Sequence, residues 1–180
     1  MAMFPLLPVE EEGRLKNPDL LDSFIQRVYA YHRWQIAFDS GMTVSKLIDF
    51  HTQYKMVLLS HCQKSYRTLG RLVAQTTAQN LQLHAQQYIE QFMTALKKPA
   101  TRGSHYNVML HLTGFLKHSL ADDEKRTLLY TTERYRDGEL PLIAPLTLLN
   151  MHFSKYKHRF TDNSLYLRPY PVELGVYNKL

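Results

Sequence analysis

Apolar residues recur three and four positions apart through most of this chain, and apolar–polar alternation never persists beyond four or five residues. The first period is that of one face of an α-helix, whereas a half-buried strand needs a period of two. The pattern predicts an all-α protein, a single compact domain of about six helices with an irregular C-terminal tail. With 180 residues, 44% of them hydrophobic, the chain can bury a sizeable core.

Helix breakers set the boundaries. Residues 4–18 hold three prolines, the triplet Glu10, Glu11 and Glu12, a glycine and Asn17-Pro18, so residues 1–18 read as a junction and 19–180 as the helical domain. Leu21, Phe24, Ile25, Val28, Tyr31, Trp34 and Phe38 carry a first helix from Pro18 to about Gly41. Thr43 caps a second, which runs through the stretch His51–Gly70; Gly70 interrupts it, and a shorter piece reaches about Ala78. Asn80 to Lys98 forms the next and Pro99 stops it. Ser104 to Leu120 follows. Asp122, Asp123 and Glu124 then suit a helix N-terminus. The last helix opens near Pro141, with Pro145 demanding a late start or a kink, and residues 161–180 read as a tail packed on the body.

Charge and cysteine content narrow the function. Residues 1–40 carry a balance of −2 and residues 41–180 a balance of +8. A basic body with 12 tyrosines points to nucleic acid, against the alternative of a basic protein with no polyanion partner. One cysteine rules out an internal disulfide framework and a thiolate-held cluster from this chain alone. No apolar run approaches the roughly 20 residues of a membrane span. The N-terminus lacks the basic region of a signal peptide, so the expected location is cytoplasmic, with no membrane partner.

Two polar stripes interrupt the apolar pattern. On the second helix His51, Tyr54, Leu58 and His61 share one face with Lys55 at its edge. On the helix from Ser104, the residues Asn107, His111, Gly114 and His118 fall within about 60° of one another. Mid-helix glycine costs about 1 kcal/mol against alanine, so close approach of a ligand or of a second helix is expected at Gly114. If the two stripes face each other they line one polar cleft; if not, the histidines are satisfied or solvated singly. Their spacings do not match a zinc site, and no metal is expected. Cys62 reads as a buried, inert thiol beside His61. The stronger basic candidates are Lys55, Arg67 and Arg71 with Tyr54 and Tyr66, and a strip of His152, Lys155, Tyr156 and Arg159 on the last helix. Cations interleaved with tyrosine can contact phosphates and stack bases; each strip alone is otherwise a solvated helix face.

The stretches HTQYKMVLLSHCQKSYRTLG (51–70), HYNVMLHLTGFLKHSL (105–120) and GELPLIAPLTLLNMHFSKY (138–156), with the tail YLRPYPVEL (166–174), resemble the YbgA-like family over about residues 20–180. That family is a helical domain of unknown function. It stands alone or follows a cysteine-rich desulfidase domain that acts on thiolated uracil, with thiouridine in tRNA as a proposed substrate. FPLLPVEEEGRL (4–15) resembles the closing stretch of that upstream domain. The resemblance implies a fused parent whose desulfidase half would hold a [4Fe–4S] cluster on three cysteines. This chain lacks those cysteines and needs no cofactor of its own. The implied role is an accessory domain gripping RNA, most plausibly tRNA, beside its desulfidase partner. A small-molecule enzyme using the His-lined cleft and a purely structural or dimerising domain are the alternatives. No catalytic residue carries over.

Overall fold

Most of the helices start where the sequence supplies a side-chain acceptor for an unpaired N–H group. In the computed structural model, which describes residues 6–156 and 163–174, seven α-helices follow one another, and no strand occurs among the described residues. α1 (Pro18–Asp39) begins with the Asn17 carboxamide oxygen accepting from the N–H groups of Asp19 and Leu20, and with Pro18 at its first position. Thr43 caps α2 (Val44–His61). α4 (Leu81–Leu96) follows the turn at Asn80. Thr101 and Ser104 cap α5 (Arg102–Phe115) reciprocally. α6 (Asp122–Arg136) opens on its three acids, with Glu124 accepting from the Ala121 N–H. α7 (Ile143–Lys155) starts late, so Pro145 falls in its first turn, where no intrahelical donor is lost.

The expected second helix is broken, and not at Gly70. Cys62 adopts an extended backbone (φ −156°, ψ 103°), ending α2 and capping α3 (Gln63–Ala74) with its sulfur. Gly70 lies inside α3, and a Cβ there would meet His51 Nε2 at 3.7 Å, an ordinary van der Waals contact. Arg67 and Arg71 therefore belong to a different axis from His51 and Tyr54.

α2 packs against α1, α3, α4 and α5, while α6 and α7 extend the bundle through α5. Phe50 of α2 is the hub of an aromatic core. It meets Trp34, Tyr88 and Phe92 edge-on at centroid separations of 5.0, 6.1 and 5.6 Å, and Tyr88 stacks between Trp34 and Phe92. The tail is a strap across this body. The Leu165 N–H donates to the Gln53 carbonyl, Arg33 donates to the Pro169 carbonyl, and Tyr166, Leu167 and Tyr170 are buried. The described part of the leader lies along α1, where Glu10 pairs with Arg27 and Arg14. None of the described helices is long and apolar enough to cross a membrane.

Phe50→Ala should cost about 4 kcal/mol in urea unfolding, as expected for emptying a well-packed aromatic site. Phe115→Ala, on a side chain 38% exposed, should cost under about 1 kcal/mol. Equal losses at the two positions would contradict this core assignment.

Candidate functional site

α3 is the most exposed basic element of the bundle. Its sequence QKSYRTLGRLVA contains no acid. Leu69 and Val73 bury one side, and Lys64, Arg67 and Arg71 lie exposed within about 60° of arc on the other. None of the three makes an ion pair among the described residues. The surrounding stretch of residues 51–100 holds six Lys/Arg and one acid, Glu90. Of the other residues expected at this surface, Tyr66 is half-buried against the core and Lys55 is half-buried, its ammonium held below the usual lysine range by desolvation. Tyr54 does not belong there. Its ring is 2% exposed and packs on Phe50 and Phe92, and its hydroxyl accepts from Arg33, so it cannot stack a base.

The basic strip of α7 is compensated. Lys155 Nζ lies 2.7 Å from Glu124 Oε1, and the Tyr156 hydroxyl donates to Glu124 Oε2 at 2.8 Å. The Lys155 hydrogen bond leads the contacts that hold the Glu124 carboxyl down at about 2. Buried His152 faces the same carboxylate at 3.9 Å, beyond hydrogen-bond range. Arg159 lies outside the described residues.

The two polar stripes do not line one cleft. Among the described residues no hydrogen bond or ring contact joins them. His51 and His61 point into the bundle, whereas His111, Gly114 and His118 are exposed and Asn107 is half-buried. Nothing lies within 4 Å of the place a Cβ would take on Gly114. Periodicity tells which residues share a face but not which face a neighbour covers. His51 Nδ1 bonds the Tyr88 hydroxyl at 3.1 Å, and burial pulls its pKa down to about 4. His61 Nδ1 lies 2.6 Å from the Lys98 carbonyl and Nε2 3.3 Å from Gln26 Oε1; burial again lowers the pKa to about 4. α5 does bring a histidine inward, but it is His105, which shares a 2.8 Å hydrogen bond with the Tyr166 hydroxyl and is pushed down to about 3 by burial. Its register with Val108, Met109 and Leu112 (i, i+3, i+4, i+7) was the signal that marked it as inward-facing.

His61 belongs to a longer polar chain. The Tyr170 hydroxyl donates to Asp22, the Gln26 amide donates to the other Asp22 oxygen at 2.7 Å, and Gln26 reaches His61. Burial raises the Asp22 carboxyl to about 6. With His61 held neutral, a protonated Asp22 can donate to the oxygen of a reversed Gln26 amide, whose NH2 then donates to His61 Nε2. Among the described residues no group of three or more His, Cys, Asp or Glu is placed to hold a metal ion.

Cys62 is not the inert buried thiol expected. It is partly exposed and accepts from the Ser65 hydroxyl at 3.2 Å and the Ser65 N–H at 3.5 Å. Burial alone would raise its pKa; the Ser65 and Lys64 hydrogen bonds and the Lys98 charge outweigh that and hold it below the ordinary thiol value.

A family model described as a protein of unknown function, DUF1722, matches residues 55–171. The uncharacterized protein YbgA of Escherichia coli (strain K12) is 32% identical over 151 residues, which span 83% of this chain and 89% of the relative. No solved structure matches.

Two outcomes follow from this geometry. The rate of Cys62 alkylation by iodoacetamide should titrate below the normal thiol pKa of 9.0, and Ser65→Ala should move it upward; an unshifted profile would remove the cap from the explanation. Stability should also fall with acid. His51, His61 and His105 are held neutral, so their stabilisation is present above about pH 6.5 and is lost as pH falls toward about 4. Asp22 opposes them, because its folded pKa is raised and the fold binds its proton more tightly below about 6. Unfolding then takes up a net two protons, a limiting slope of about 2.7 kcal/mol per pH unit. Urea midpoints that stay level from pH 6.5 to 5 would refute this, and Asp22→Asn should steepen the decline.

Proposed function

The chain belongs to the DUF1722 family and is similar in sequence to YbgA, and from that premise we propose that it is an accessory domain that binds RNA, with tRNA as the RNA bound, through α3. The observation that carries this reading is the uncompensated row Lys64, Arg67 and Arg71 on a helix with no acid. Cations already paired to carboxylates exchange one partner for another when they meet phosphate; unpaired ones release counterions from the nucleic acid and gain the full entropic return. Lys155 is paired with Glu124, Arg134 with Glu139 and Arg136 with Asp137, so α6 and α7 contribute less than their sequence suggests. Tyr66 of α3 and Lys55 of α2 extend the surface. A desulfidase-type partner domain acting on thiolated uridine is the context in which such a grip has a use, and it forms part of the same proposal.

Filter binding with bulk tRNA between about 50 and 200 mM salt tests it, each neutralised phosphate contributing about −0.7 to −0.9 to the log–log slope. Replacing Lys64, Arg67 and Arg71 together by Ala should weaken binding to all sequences alike and flatten the slope by about two to three. Lys155→Ala should change the slope by less than about one. Absence of binding at the lowest salt, or a triple variant that binds like the parent, would defeat the proposal.

A further inference from the structure

A groove runs between α1 and α4 on a different face of α4 from α3. Its two ends differ in chemistry. One end, a cavity of about 150 Å³, is lined by Arg27, Thr94 and Lys97. The other, of about 380 Å³, is lined by Trp34, Phe38, Gln35 and Gln82. Leu6 borders both, so the two cavities adjoin. Arg27 and Gln35 are eight residues apart on one helix, which is about 12 Å along its axis.

At the first end one donor lacks an acceptor. Arg27 is 4% exposed; one of its nitrogens is held by Glu10, but Nε is buried without a partner. A buried N–H without an acceptor is costly, so a ligand oxygen there is favoured. Lys97 adds an exposed ammonium with no ion pair among the described residues. Glu90 also lines this end, accepting the Gln86 side-chain amide, and can still accept from hydroxyl groups. The second end offers aromatic faces and the carboxamides of Gln35 and Gln82, neither of which has a hydrogen-bond partner among the described residues.

We propose that this groove is a nucleotide site, with the phosphate at Arg27 and Lys97, the ribose hydroxyls at Glu90, and the base against the half-buried rings of Tyr31 and Phe38, next to the buried Trp34, with its edge on Gln35 and Gln82. Oxygen-rich, hydroxylated and planar heteroaromatic parts follow one another in a nucleotide in the order the groove presents their partners. The same chemistry is offered by a free nucleotide and by a nucleotide within RNA. The proposal stands on the groove and does not depend on α3.

Trp34 is the sole tryptophan, so its fluorescence reports the site directly. AMP added to the full chain should quench it saturably, beyond the effect on N-acetyltryptophanamide. Lys97→Gln, an exposed substitution, should weaken AMP about tenfold and leave adenosine unchanged, while Glu90→Gln should weaken adenosine and leave adenine unchanged. Quenching by AMP that a short RNA displaces supports a nucleotide of RNA as occupant; quenching that RNA leaves untouched supports a free nucleotide. The triple α3 variant should lose tRNA and keep AMP quenching, which separates this site from the α3 surface. The proposal is overturned if none of AMP, CMP, GMP or UMP quenches saturably up to about 5 mM. It is equally overturned if Lys97→Gln binds AMP normally, or if only an apolar probe such as anilinonaphthalene sulfonate enters the groove.

Discussion

The Asp22 carboxyl group is half-buried and held by hydrogen bonds, with no ion pair among the described residues. Its donors are Gln26, one turn along α1, and Tyr170, in the distant strap. Through Gln26 it is joined to His61 at the end of α2, which is anchored in turn on the Lys98 carbonyl beyond α4. A polar group buried without partners would cost several kcal/mol, so these contacts hold only when α1, α2, the end of α4 and the strap stand in one relative placement. The aromatic core around Phe50 supplies the larger driving force, but flat rings tolerate small slips. The polar chain admits far fewer arrangements and so fixes the register in which the helices meet.

The same requirement explains what could be read from the sequence and what could not. Helix existence followed from spacing and caps: Asn17-Pro18, Thr43, Pro99 and the acids before Lys125 each stand where a helix begins or ends. The all-α class and the packed tail rest on those signals. The break at Cys62 was hidden because its cap is a thiol, whereas the common cap signals are hydroxyl and carboxamide groups. The inward histidine of α5 was passed over because His111 and His118 stood out beside Gly114, while His105 merged into an apolar register. Tyr54 and Lys155 were misjudged for a related reason. Whether a tyrosine is buried or a lysine paired depends on a neighbour from another helix, Phe92 in one case and Glu124 in the other.

Charge in this bundle is sorted by partnership. The acids of α6 and its following turn neutralise the cations nearest to them, and Glu10 does the same for Arg14 and Arg27. Between residues 51 and 100 there is almost nothing to neutralise with, and the exposed face of α4 carries glutamines where charged residues are common. The positive potential of the chain is consequently concentrated along α3 and the end of α4. Side-chain amides flank it, which hydrogen-bond without opposing a polyanion.

The contact between Asp22 and Tyr170 spans 148 positions of sequence. At the usual pace of translation, about 5 to 20 residues per second, α1 leaves the ribosome roughly 7 to 30 seconds before the tyrosine that completes its environment exists. During that interval Tyr166 and Leu167 are also absent from the surface they cover. The nascent chain can form local helices and bring α2 against α4, yet it exposes an unfinished apolar face until the strap emerges. Until then α1 lacks the partner that encloses Asp22, and the vulnerable form of this protein is a nascent chain that has made its helices but not yet its strap.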